Sequence, residues 1–150
     1  MKRLILALAA TTGLLAALPA SAQFAKPEDA IKYRKAGFTI MATHFGRIGA
    51  MASGKAPFDA KVAAENAEIV AEVAKLPFGG FADGSDKGET RAKPEIWAER
   101  TKFNAGAAQL QDAAAKLNVA AKSGNLDAIK AAFGETAKTC KACHDNYRKE

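Results

Sequence analysis

Residues 94–122, PEIWAERTKFNAGAAQLQDAAAKLNVAAK, carry the reading that decides the fold. Ile96, Phe103, Leu110 and Leu117 recur there at seven-residue intervals, with polar and small residues between them. Two turns of an α-helix span about 7 residues, so these four side chains line one face of a helix. Pro94 sits where a helix favours proline, at its start. A strand would need apolar residues at every second position, and the stretch has no such alternation. A helix with one apolar stripe must bury that stripe against other helices.

The flanking sequence supplies them. Upstream, Pro27 with Glu28 and Asp29 marks a helix start whose acids complement the positive end of the dipole. The stripe Ile31, Arg34, Phe38, Met41, Phe45, Ile48 follows, with one charged member, and SGKAP ends it. A second helix is predicted from Phe58 or Asp59, with Val62, Asn66, Ile69, Val73 and Leu76 inward and Pro77 as its stop. Residues 78–93, FGGFADGSDKGETRAK, are rich in Gly and Asp and are read as a loop, longer than a helix–helix turn needs and therefore of functional interest. Downstream, SGNLD marks a turn with Asn125 as N-cap. The last helix then carries Leu126, Ile129, Phe133, Thr136, Cys140, Cys143 and Tyr147. Four amphipathic helices with mostly short connections predict an all-α, antiparallel up-down-up-down four-helix bundle.

The opening MKRLILALAATTGLLAALPASAQF has the form of a secretory signal peptide: Lys2 and Arg3, an apolar run from Leu4 to Leu18, and small residues at Ala20-Ser21-Ala22. Cleavage is expected after Ala22. The apolar run is short for a membrane span of about 20 residues, so no stable membrane anchor is expected. The predicted organisation is a signal peptide over 1–22 and one domain over 23–150, placed in the periplasm. The formal charge of +6 loses two units with Lys2 and Arg3. That balance, without basic–aromatic clusters, argues against nucleic acid as a partner and leaves room for an acidic protein.

The end of the chain, TCKACHDNYRKE, holds both cysteines and one of the two histidines. Exported thiols ordinarily pair, but a bridge between Cys140 and Cys143 would close a loop too short to stabilise much. C-K-A-C-H is the C-x-x-C-H pattern of c-type haem attachment. Two thiols add across the haem vinyl groups as thioethers, and the adjacent imidazole of His144 reaches the iron. At about 100° per residue the three share a helix face with Leu126, Ile129 and Phe133. A thioredoxin-like pair would want its first cysteine at a helix N-terminus after a strand, and a zinc site would want further ligands that His44 is poorly placed to give. One covalently bound haem c is expected, with His144 as axial ligand.

The motif on a last helix, together with QFAKPEDAIKYRKAGFTIMATHFGRI, PEIW and KTCKACHDNYRKE, resembles the cytochrome c′ family, the class II c-type cytochromes, over essentially all of residues 23–150. The resemblance implies that the distal residue comes from the first helix, at Phe38. A phenyl ring has no lone pair, so the iron would be five-coordinate and high spin. The ring would crowd the distal side and offer bound O₂ no hydrogen bond, leaving NO and CO as the ligands expected. Met41, one turn on, is the alternative: a thioether ligand would make the protein a low-spin electron carrier. Arg34, a cation on an apolar stripe that should need an anion, is assigned to a haem propionate. Lys35, Glu89 and Thr90 are placed against the haem, and Arg148 over its proximal face. Lys138, Lys141 and Lys149 could steer an acidic redox partner whose identity is unknown. No distal acid–base pair is visible, so no enzymatic activity is expected. Relatives pair through their first two helices, and the small residues Ala42, Gly46, Gly49 and Ala50 suit a homodimer here.

Overall fold

The computed structural model describes residues 23–150; the expected signal peptide over 1–22 lies outside the described residues. The chain forms α1 (Pro27–Ala52), α2 (Ala60–Val73), a 3₁₀ turn (Pro77–Gly80), a one-turn α3 (Glu95–Ala98), α4 (Arg100–Lys122) and α5 (Leu126–Tyr147). The four long helices form the predicted bundle. α1 packs on α2, α2 on α4, α4 on α5, and α5 closes back on α1. Among the described residues no helix is long and apolar enough to cross a membrane.

Helix starts follow local chemistry. Asp59 Oδ1 accepts from the Val62 N–H at 3.0 Å, and Asn125 Oδ1 accepts from the N–H groups of Asp127 and Ala128, both at 3.0 Å. Each satisfies donors that a helix N-terminus leaves orphaned. Gly124 takes the left-handed conformation (φ 68°) that turns α4 into α5. The stripe on α4 is buried as its spacing predicts, with Phe103, Leu110 and Leu117 all in the core.

Two expectations are corrected. On α2 the buried face is Ala63, Asn66, Ala67, Val70 and Ala71, while Val62, Ile69 and the following Leu76 are exposed. The inner face is rotated by one residue, about 100°, because α2 presents its small side chains to α1 and α4. The third helix does not run unbroken from Pro94: Glu99 (φ −111°, ψ 40°) separates α3 from α4. Trp97 Nε1 donates to Ala82 O at 3.1 Å and Arg100 Nη1 to Phe81 O at 2.8 Å, fastening this break to the preceding loop.

One aromatic pair sets the register between α1 and α5. Phe45 and Phe133 stack with centroids 4.2 Å apart and planes 12° from parallel. A Cβ at Gly49 would stand 2.7 Å from the Phe133 ring, so the glycine permits the approach. Seven residues before Phe45 is Phe38, and seven after Phe133 is Cys140. In antiparallel helices those positions face each other, at the level where the two helices part.

Candidate functional site

Between α1 and α5 lies a cavity of about 890 Å³. Cys140, Cys143 and His144 line it from α5, and Phe38, Met41 and Phe45 from α1. Val70, Leu110 and Phe103 close its depth. The motif and the expected distal position thus share one chamber. Burial pushes the Cys140 and Cys143 thiols up from the ordinary thiol range, with the neighbouring Cys140 adding to the effect on Cys143. A thiol-exchange site would need the reverse. His144 is pushed down, first by burial and then by the positive charges of Arg148 and Arg91. Among the described residues no cluster of three His, Cys, Asp or Glu side chains could hold a bare metal ion.

Phe38 stands in an aromatic wall that the sequence did not announce. Its ring meets Phe78 edge-on at 5.7 Å and Phe81 at 6.2 Å. Phe81 packs on Phe103 at 4.9 Å, and Phe103 on Tyr147 at 5.4 Å. Each such pair contributes about 0.5–1.5 kcal/mol beyond its buried area, so the wall is stiff. Phe78 and Phe81 belong to the segment read as a loop, where no periodicity could flag them.

Arg34 is 2% exposed, and what it holds is that loop. Its Nη1 donates to Gly80 O and Ser85 Oγ, both at 2.7 Å; its Nη2 donates to Ser85 O at 2.7 Å and Thr90 Oγ1 at 2.8 Å. Its guanidinium carbon lies 4.5 Å from the Phe81 ring centroid, and burial lowers its pKa. Four neutral acceptors and an aromatic face tie this cation to the loop, and the same side chain lines the cavity, where a haem propionate is its expected partner. Thr90 takes part as an acceptor for Arg34 and for the Ala92 N–H. Lys35 Nζ reaches the Glu89 carbonyl at 3.4 Å, and Lys35, Glu89 and Thr90 all line the cavity.

Arg148 lines the cavity, and its Nη1 lies 3.4 Å from His144 Nδ1. Arg91 joins it, a residue the sequence did not single out. A short backbone pairing brings them together: Lys93 N–H donates to Tyr147 O at 2.9 Å and Lys149 N–H to Arg91 O at 2.8 Å. Two-residue pairings leave no signature in a sequence. The lysines expected to steer a partner divide: Lys138 pairs with Glu135 and Lys141 with Asp145, leaving Lys149 beside Arg91, Lys93 and Arg148 on the outer side of His144. His44 is half-buried between α1 and α2, its Nδ1 2.8 Å from Asn66 Oδ1, and is not in the cavity lining. Ala42 and Gly46 border the cavity and are exposed, whereas Gly49 meets Phe133 inside the bundle.

The family model for cytochrome C′ matches residues 29–148. The chain belongs to the cytochrome c′ family. Cytochrome c′ of Rubrivivax gelatinosus is 52% identical over 129 residues, which are 85% of this chain and 100% of the relative; its crystal structure superposes with a TM-score of 0.82. The cytochrome c prime of Shewanella frigidimarina is 49% identical, covers 85% of this chain and 99% of its own, and gives a TM-score of 0.83. An Alcaligenes xylosoxidans mutant solved as a nitric oxide complex is 44% identical, with TM-score 0.80, over 85% of this chain and 99% of that one.

The protein is accordingly a c-type haem cytochrome, and the cavity fits that cofactor. A largely apolar chamber of this size, with two thiols and an imidazole at one wall, has the donor set a c-type haem uses. Cys140 and Cys143 would hold its edge, His144 its iron, and Phe38, Met41, Val70 and Leu110 its faces. Arg34, Lys35, Arg91 and Arg148 are the cations of the lining that no ion pair occupies among the described residues, and they suit its carboxylates.

Proposed function

We propose that this cytochrome c′ binds one haem, attached covalently through Cys140 and Cys143 with His144 as the axial ligand, and that its iron is five-coordinate and takes up NO, and CO more weakly, beneath Phe38. One observation carries the reading: the α1 wall facing the motif is Phe38 wedged between Phe78 and Phe81, an aromatic cover with no lone pair. The haem supplies the reduced iron on which such gases bind. The chain excludes water with its aromatic wall and withholds the hydrogen bond that O₂ would want. The nitric oxide complex known for a 44% identical relative supports the choice of ligand. The role we assign is binding or carrying the gas and transferring electrons, not catalytic turnover.

We also infer export to the periplasm after cleavage at Ala22. The Rubrivivax relative, matched over its whole length by 85% of this chain, supports an independent domain without the leader. For electron transfer, Arg91, Lys93, Arg148 and Lys149 suit an acidic redox protein. For a homodimer through α1 and α2, the supporting surface is the exposed Ile40, Val62, Ile69 and Leu76.

A second reading keeps a specific observation in its favour: Met41 lines the same wall, and its thioether could ligate the iron in a low-spin electron carrier. Visible spectra of the ferric and ferrous protein, before and after CO, separate the two. A high-spin ferrous band that shifts with CO, unchanged in Met41→Ala, supports the open site. A low-spin spectrum indifferent to CO that turns high spin in Met41→Ala sinks it.

A further inference from the structure

Reducing peroxide to water takes two electrons, whereas a ferrous haem becoming ferric gives one. Where the iron stops at ferric, the second electron has to come from the chain, and the cavity wall contains one phenol. Tyr147 lines the cavity, is buried, and stands on α5 one turn beyond His144. Its ring meets Phe103 edge-on at 5.4 Å. Its hydroxyl donates to Glu99 Oε2 at 3.2 Å, and the same carboxylate oxygen is held by Lys102 Nζ at 3.2 Å.

That arrangement has a chemical use. A phenol gives up an electron far more readily when its proton leaves in the same event, and a carboxylate fixed on its O–H is the acceptor such an event needs. Rival donors are less well placed. Tyr33 packs on Phe24 with ring centroids 5.1 Å apart and is not part of the cavity lining. The indole N–H of Trp97 donates to a neutral carbonyl, Ala82 O. Both cysteines are spent as thioethers in the attachment proposed above.

We propose that Tyr147, with Glu99 as its proton acceptor, is a redox-active site that supplies the second electron when the ferrous haem meets hydrogen peroxide. The inference rests on the open iron site of the preceding reading. The O–O bond breaks; peroxide takes one electron from iron, which goes from ferrous to ferric, one electron from Tyr147, and two protons from solvent, and becomes two waters. Tyr147 is left as a neutral phenoxyl, and its own proton is on Glu99. The wall facing the motif has no acid–base pair to hasten the cleavage, so this is a slow single discharge that directs the second oxidising equivalent onto a chosen side chain.

The test uses the reduced holoprotein mixed with one equivalent of hydrogen peroxide, frozen, and read by electron paramagnetic resonance. A tyrosine phenoxyl signal is expected in the wild type and in Tyr33→Phe, and its loss in Tyr147→Phe, which keeps the ring packing. Glu99→Gln keeps a hydrogen-bond acceptor but cannot take the proton, and the signal should fall several-fold. A signal unchanged in Tyr147→Phe, no signal in the wild type, or oxidation recovered as a sulfoxide at Met41 in its place overturns the proposal. The absorption spectrum of the same ferrous sample keeps the two failures apart. A six-coordinate spectrum removes the open site and this inference with it; a five-coordinate spectrum without phenoxyl overturns the inference alone.

Discussion

Arg34→Lys separates two uses of one cation. If Arg34 serves as a positive charge for a haem carboxylate, lysine should serve nearly as well. If it serves as a fork that ties the loop to α1, lysine should fail. The two terminal nitrogens of Arg34 span four acceptors, Gly80 O and Ser85 Oγ on one, Ser85 O and Thr90 Oγ1 on the other. One ammonium nitrogen can replace one of these pairs at most. Ser85 Oγ would still donate to Ala82 O, and Thr90 Oγ1 would still accept from the Ala92 N–H, so the loss falls on a buried backbone carbonyl. Hydrogen bonds to a charged group contribute about 1.5–3 kcal/mol each, and losing two puts the cost at about 3–6 kcal/mol. That is a large share of the roughly 5–15 kcal/mol by which a domain is stable. Guanidinium unfolding of the holoprotein should show a lowered midpoint at unchanged slope, and amide exchange should quicken across residues 80–92 before elsewhere. Wild-type stability and loop protection in Arg34→Lys would refute the reasoning that the fork of Arg34 holds the loop.

Other consequences are as direct. Phe38→Ala should speed CO association to the ferrous protein by about tenfold or more, equivalent to about 1.4 kcal/mol off the entry barrier; flash photolysis showing no change would mean that the ring does not cover the iron. Gly49→Ala places a Cβ 2.7 Å from a Phe133 ring that is already stacked on Phe45, an overpacking cost of about 1–3 kcal/mol, to be measured as a shift in denaturation midpoint. In haem-free protein the raised thiols of Cys140 and Cys143 stay protonated where an unfolded thiol, with a pKa near about 8.5, has begun to ionise. Iodoacetamide should therefore react more slowly with the folded than with the urea-unfolded chain, and the folded form should lose stability as pH rises past that value; equal rates would contradict the burial argument. Ile69→Glu, on the exposed apolar side of α2, should shift sedimentation toward monomer with the haem spectrum intact.

What the sequence disclosed and what it hid divide along a physical line. Periodicity and punctuation are local properties, so the four long helices, the Asp59 and Asn125 starts and the α4 stripe were legible residue by residue. C-K-A-C-H was legible because its chemistry is packed into five consecutive residues. The inner face of α2 was misread because its most hydrophobic residues are not its buried ones: alanines let α2 approach α1 and α4, and Val62, Ile69 and Leu76 are left outside. The loop is legible as a loop, but its internal order is not, because that order is imposed from a distance. No residue between Phe78 and Lys93 announces a fold, and the segment is held from outside, by the guanidinium of Arg34 some fifty positions away and by the side chains of Trp97 and Arg100. The same cause hid the charge at the site. Arg91 reaches His144 through pairing with the chain end, while Lys138 and Lys141, closer in sequence, are neutralised by Glu135 and Asp145. A buried arginine on an apolar stripe does announce that acceptors are near. It leaves open whether they belong to a cofactor or to the chain itself, and here every terminal N–H already has a backbone or hydroxyl partner in the loop. The distal aromatic cover is consequently no property of Phe38 alone: it depends on Phe78 and Phe81, and these stand in a segment that Arg34 and Arg100 hold.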